Sequence, residues 1–86
     1  MSYSLKMNTP PTPLRAVIRV LWDHDAQVWV ATSDDVQGLV VEAASFDEVV
    51  QEARQIVPDL LQLNGGTQSK VLDLHFLADR LESVAA

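Results

Sequence analysis

The sequence predicts a two-layer α+β domain in the order β-β-β-α-β, an antiparallel sheet covered by one Pro-kinked helix. Three observations carry that expectation. Residues 16–22 alternate with the two-residue period of a strand, residues 46–63 carry an apolar stripe of helical period, and a second alternating run returns near the end of the chain. A single amphipathic helix has one face to bury, and a small sheet supplies the surface.

The first thirteen residues (MSYSLKMNTPPTP) hold three of the four prolines and no apolar period, so a disordered tail is expected over 1–13 and one domain over 14–86. The scattered apolar residues of that stretch form no signal-peptide core. From Arg15, the residues Ala16, Ile18, Val20 and Trp22 share one strand face, with Val17, Arg19 and Leu21 on the other. The polar stretch Asp23 to Gln27 then leads into Val28 to Ser33, which reads as an antiparallel hairpin. Asp34 to Gly38 is a further turn, in which Gly38 supplies positive φ at little cost, and Leu39 to Ala43 is the third strand.

Ser45 opens the helix. In Ser45-Phe46-Asp47-Glu48 the hydroxyl is placed to accept from the Glu48 amide while the Glu48 carboxylate reaches back to the Ser45 amide. Phe46, Val49, Val50, Ala53, Val57, Leu60 and Leu61 form one stripe for the sheet, and Ile56 and Leu63 widen it towards a partner subunit. Pro58 removes one backbone bond, which either kinks the helix or breaks it. The stripe keeps phase across the proline, so a kinked, continuing helix is expected, ending at Asn64-Gly65-Gly66. Residues 69–81 fit two periods. Leu72, Leu74, Phe76 and Ala78 alternate as a strand does, while Val71, Leu74, Leu77, Ala78 and Leu81 fit a helical stripe. The strand reading is preferred, because it adds a fourth strand and puts Asp73 and His75 together on the wetter face.

Charge and composition narrow the function. The net charge is −6 with pI about 4.5, which opposes direct binding to a phosphate backbone. The chain has no cysteine, so disulfides, thiolate nucleophiles and cysteine-bearing zinc sites are excluded, and a reducing, cytoplasmic setting is expected. No apolar run approaches the roughly 20 residues of a membrane span. A domain this small buries little of its surface alone, so self-association is expected, as a dimer or tetramer.

Half of the twelve acidic residues fall between Asp34 and Glu52. Their spacing does not suit a metal site, since Asp34 and Asp35 lie in a turn while Asp47 and Glu48 serve the helix start. Asp34, Asp35, Glu42 and Glu48 are instead expected to form an acidic surface that docks a basic partner. His24 and His75 have no nucleophile motif beside them. A His75–Asp73 pair on one strand face holds a tautomer at most. Gly65-Gly66 lacks the strand and lysine of a phosphate loop. Trp22 and Trp29 suit cross-strand packing better than base stacking, for the basic groove that stacking platforms need is missing. No catalytic residue, metal or cofactor is assigned.

Ile18-Arg19-Val20-Leu21-Trp22-Asp23, then Val28 through Leu39, then Val41-Glu42-Ala43 and the Ser45-Phe46-Asp47-Glu48 helix start, resemble the N-terminal domain of HicB-type antitoxins. The helix ending Ile56-Val57-Pro58-Asp59-Leu60-Leu61-Gln62-Leu63-Asn64-Gly65 looks closer still to a small HicB-related bacterial family of unknown function. The resemblance covers residues 16–66. It implies a partial RNase H-like fold without catalysis, homo-oligomers, and an antitoxin-like module that masks a small basic RNase toxin. The Pro-Gly-Cys of the HicB turn is Gln37-Gly38-Leu39 here, and no DNA-binding segment is expected. The alternatives are a structural or ligand-binding domain, and a metal-dependent hydrolase.

Overall fold

The structure is a computed structural model and describes residues 14–64 and 72–86. The tail expected over 1–13 and the Gly65-Gly66 helix end lie outside the described residues. β1 (Leu14–Asp23) and β2 (Val28–Thr32) form the expected antiparallel hairpin, with Trp22 opposite Trp29 and Val20 opposite Ala31. Asp23 gathers the turn. Its carboxylate accepts from the amides of Asp25 and Ala26 at 3.0 and 3.2 Å, and its carbonyl accepts from the Gln27 amide at 2.8 Å. Gln27 takes φ +58°, a left-handed conformation that costs a side chain about 1–2 kcal/mol.

β3 (Val40–Ala43) pairs antiparallel with β2, placing Val41 opposite Ala31 and Ala43 opposite Trp29. α1 (Phe46–Leu63) follows, with Ser45 as N-cap. The Ser45 hydroxyl oxygen accepts from the Glu48 amide at 3.1 Å, and its proton goes to the Glu48 carboxylate at 2.9 Å. The cap is therefore reciprocal through the hydroxyl, whereas the sequence suggested the Ser45 amide as the second donor. α1 continues through Pro58 without a break. It ends at Asn64, whose amide donates to the Leu60 carbonyl at 3.0 Å and whose side chain donates to the Gln37 carbonyl at 2.8 Å, tying the helix end to the β2–β3 loop.

The ambiguous segment is a strand, β4 (Leu72–Asp79), and it lies beside β1 in the sheet order β3-β2-β1-β4. It runs parallel to β1, so the sheet is mixed and not antiparallel throughout. The cause is the crossover. Eighteen helical residues rise about 27 Å at 1.5 Å each, which returns the chain to the end where β3 began. A strand that starts there runs with β3, and β1 already has that direction.

Ile18, Val20, Val36, Val49 and Val57 are sealed in the core, packed with Ala16, Ala31, Leu39, Val41, Ala43 and Ala53. Val36 comes from the turn expected over Asp34 to Gly38, and Leu39, expected to open the third strand, lies in the same loop because β3 begins only at Val40. Ser33 folds it: its hydroxyl oxygen accepts from the amides of Asp35 and Val36 at 3.0 and 3.2 Å, and Leu39 bonds back to the Val36 carbonyl at 3.2 Å. Gly38 takes φ +87° within this loop, the conformation expected of it.

Candidate interaction surface

Strand side chains alternate, so the register that buries one face also composes the other. On the face away from α1, one row runs Val40, Thr32, Arg19, Leu77 and the next runs Glu42, Val30, Leu21, Asp79. Among the described residues no second layer lies over these rows. Leu21, Val40 and Leu77 are 51%, 64% and 47% exposed there. Leu21 and Leu77 are neighbours in adjacent rows, while Val40 stands apart from them at the β3 edge.

The four acids proposed from sequence are spread along the β2–β3 side. Asp34 and Asp35 lie beyond the Thr32 end of β2, Glu42 is exposed on the outer face opposite Val30, and Glu48 lies past the Ala43 end of β3. Asp35 is occupied within the fold. β1 extends past the end of β2, and there the Asp35 carboxylate accepts from the Val17 amide at 2.7 Å while the Ser33 hydroxyl donates to the Val17 carbonyl at 2.6 Å. Two side chains thus replace a strand for one residue of β1. Nothing in the sequence spacing announced that bond, which depends on where β2 stops. Asp34 makes no such bond; it shares a shallow depression of about 230 Å³ with Asp35, Val17 and Arg19, so a cation borders this acidic pair. Glu48 is engaged in the helix cap.

Asp73 and His75 are both exposed on the outer face of β4, where their neighbours across β1 are Arg15 and Val17. His24 sits in the hairpin turn, and its Nε2 donates to the Leu81 carbonyl at 2.8 Å, which fixes the proton on Nε2 because a carbonyl only accepts. Trp22 and Trp29 pack across the hairpin with ring centroids 5.4 Å apart, and the edge-to-face series continues through Phe46 at 5.9 Å to Phe76 at 6.4 Å. The Arg80 guanidinium stands 4.0 Å over the Trp22 ring and donates from Nε to the Glu82 carboxylate at 2.6 Å. That bond holds the exposed Glu82 carboxyl below the ordinary carboxylate range, against an opposing desolvation and with weaker help from the Arg80 and His24 charges. Arg80 and His24 together hold the chain after β4 against the hairpin tip.

On the helix side, α1 packs on β3 and β2 more than on β4. The inward residues Leu72, Leu74 and Phe76 of β4 are only half-buried, and with Arg54 and Pro58 they line an open groove of about 310 Å³. Among the described residues no three His, Asp or Glu side chains gather as a metal site, and no helix is long and apolar enough to cross a membrane.

Comparison with known proteins gives a family and a fold. A family described as a domain of unknown function (DUF1902) matches residues 15–85. No curated protein matches. A solved crystal structure, of a hypothetical protein (TTHA1013) from the extremely thermophilic bacterium Thermus thermophilus, is 38% identical over 81% of this chain and 99% of that one, with a TM-score of 0.71.

Proposed function

We propose that this chain, which belongs to the DUF1902 family of domains of unknown function, is a non-catalytic protein-interaction module that self-associates and masks a small basic protein. The observation that carries the reading is the uncovered outer sheet face, on which exposed Leu21, Val40 and Leu77 stand among Glu42, Asp79 and Arg19. The apolar residues provide area to bury, and Glu42 and Asp79, which outnumber Arg19 in these rows, favour a partner of opposite charge and accelerate its approach. The net charge of −6 acts in the same direction at longer range. The resemblance to HicB-type antitoxins supports a basic RNase toxin as that partner and a partial RNase H-like ancestry for the sheet. A fold relationship alone does not transfer an activity, so the partner must be tested directly.

The test uses any small basic protein encoded beside this chain's gene. Calorimetry should detect binding, and the purified chain should suppress that protein's RNA cleavage. Asp34→Lys with Glu42→Lys should weaken capture, since neither acid is hydrogen-bonded among the described residues, and Asp35 is left intact to preserve its bond to Val17. No binding and no suppression would remove the antitoxin-like reading. Binding that survives the double charge reversal would move the contact away from this side of the sheet.

A further inference from the structure

We infer that β4 is the seam of a homodimer, pairing antiparallel with β4 of a second copy in one register, centred on Leu74. This rests on the self-association proposed above and specifies where it occurs. Edge strands that stay unpaired are ordinarily short or guarded by charged side chains, lysine above all, by proline or by a bulge. β3 is short, at four residues, but β4 offers eight residues without a lysine or proline, its two aspartates lie on the outer face with none pointing inward, and among the described residues nothing pairs with its outer edge. Directly above that edge lies the groove that α1 leaves open over Leu72, Leu74 and Phe76, flanked by Arg54 and Pro58. The same strand therefore lacks both a hydrogen-bonding neighbour and an apolar cover, and an added strand carrying its own apolar face supplies both.

Charge selects a second copy and sets the register. Keeping both helices on one side of a continuous sheet requires residues of like face to oppose each other. Centred on Leu74, the pairing sets Leu74 against Leu74 and Leu72 against Phe76 on the helix side, and Asp73 against His75 twice on the outer side. Since Arg15 already lies across from Asp73 within each chain, the row becomes Arg15, Asp73, then His75 and Val17 of the second copy. Each Asp73 then has Arg15 of its own chain on one side and, on the other, an N–H of the second copy's His75 imidazole to accept from. Sliding the centre to Phe76 opposes Asp73 to Asp79 at both ends, and centring on His75 opposes the two imidazoles and leaves Asp73 against Leu77. Like charges directly opposed are destabilising, so the Leu74 register is favoured. The contact is isologous and closes after two copies.

The experiment uses the full chain, which has no cysteine to interfere. Sedimentation over a concentration range establishes whether the native chain associates. Under mild oxidation, Leu74→Cys should form a disulfide-linked dimer, because opposed residues of antiparallel strands have Cα atoms about 4.5–5.5 Å apart. Phe76→Cys should not, since its two copies sit about 13 Å apart along the strands in this register. His75→Asp should raise the dimer dissociation constant roughly tenfold while His75→Lys preserves it, a polarity that two opposed pairs impose. His75 is exposed, so both variants fold and report even if Leu74→Cys does not. A native chain that stays monomeric overturns this seam and the self-association beneath it. An associating chain that fails to link through Leu74→Cys and ignores the charge at His75, or links through Phe76→Cys, overturns the seam or its register and leaves self-association standing.

Discussion

β3 and β4 are both edge strands, yet they are finished in different ways. β3 is four residues long, and its inward Val41 and Ala43 are 3% and 9% exposed beneath α1. β4 is eight residues long, and its inward Leu72, Leu74 and Phe76 are half-buried beside an open groove. The β3 flank is also braced by a loop that inserts Val36 and Leu39 into the core and ties back to β1 through Ser33 and Asp35. One helix covers about two strands, so a four-stranded sheet under a single helix must leave one flank thin. Here the thin flank is the one with the long, pairable edge, which is the combination that invites a second chain.

The largest effect should come from neighbours in one row of the sheet. Ile18 and Phe76 pair across β1 and β4, with Ile18 fully buried and Phe76 half-buried. Ile18→Ala should lose about 4 kcal/mol in a urea titration at low protein concentration and Phe76→Ala about 2 kcal/mol, although phenylalanine is the larger side chain. Equal losses would show that the β4 flank is as well covered as the core and would end the contrast. At the braced flank, Asp35→Ala should cost about 1.5 kcal/mol, the scale of a hydrogen bond to a charged acceptor, while Asp34→Ala should stay within about 0.5 kcal/mol. Matching values would mean that the Val17 bond contributes nothing. Gly38→Ala should cost about 1 kcal/mol in the same assay, through the left-handed backbone alone, because the added Cβ meets only Leu60 at an ordinary 3.8 Å.

The smallest effect concerns the chain after β4. Glu82 has its carboxyl lowered in the folded chain, so its bond to Arg80 is fully present above the ordinary carboxylate range and is lost as pH falls through the lowered value. The group is exposed, so overall stability should barely register the change. An NMR titration should find the Glu82 midpoint below the ordinary carboxylate range, returning to it in Arg80→Ala. A normal midpoint in the native chain would show that the segment is not held against the hairpin tip as described.

Local patterns were legible where local chemistry decides. The strand alternation of residues 16–22, the Ser45 cap and the positive φ of Gly38 each rest on interactions within a few residues, and each was placed from sequence. The continuation of α1 through Pro58 was legible too, because the apolar stripe on both sides offers more burial than one missing bond removes. In the sequence Asp35 reads as surface charge, and its bond to Val17, eighteen positions away, is invisible there because it depends on where β2 ends beside a longer β1. The core positions of Val36 and Leu39 are hidden from the sequence for a similar reason. Val36 falls in a polar turn that carries no core period, and Leu39 reads as the first residue of the third strand, whereas the loop folded by Ser33 carries both inward before β3 begins at Val40.

By itself the sequence determined the kinds of elements and their order, since periodicity and capping are properties of neighbouring residues. It also determined that the chain is acidic and has no thiol chemistry. Only the tertiary structure decided that β4 lies parallel beside β1, that α1 favours the β3 side, and that Leu72, Leu74 and Phe76 are left half-covered. Those outcomes depend on the length of α1 against the width of the sheet, a comparison between elements that no single stretch of residues contains.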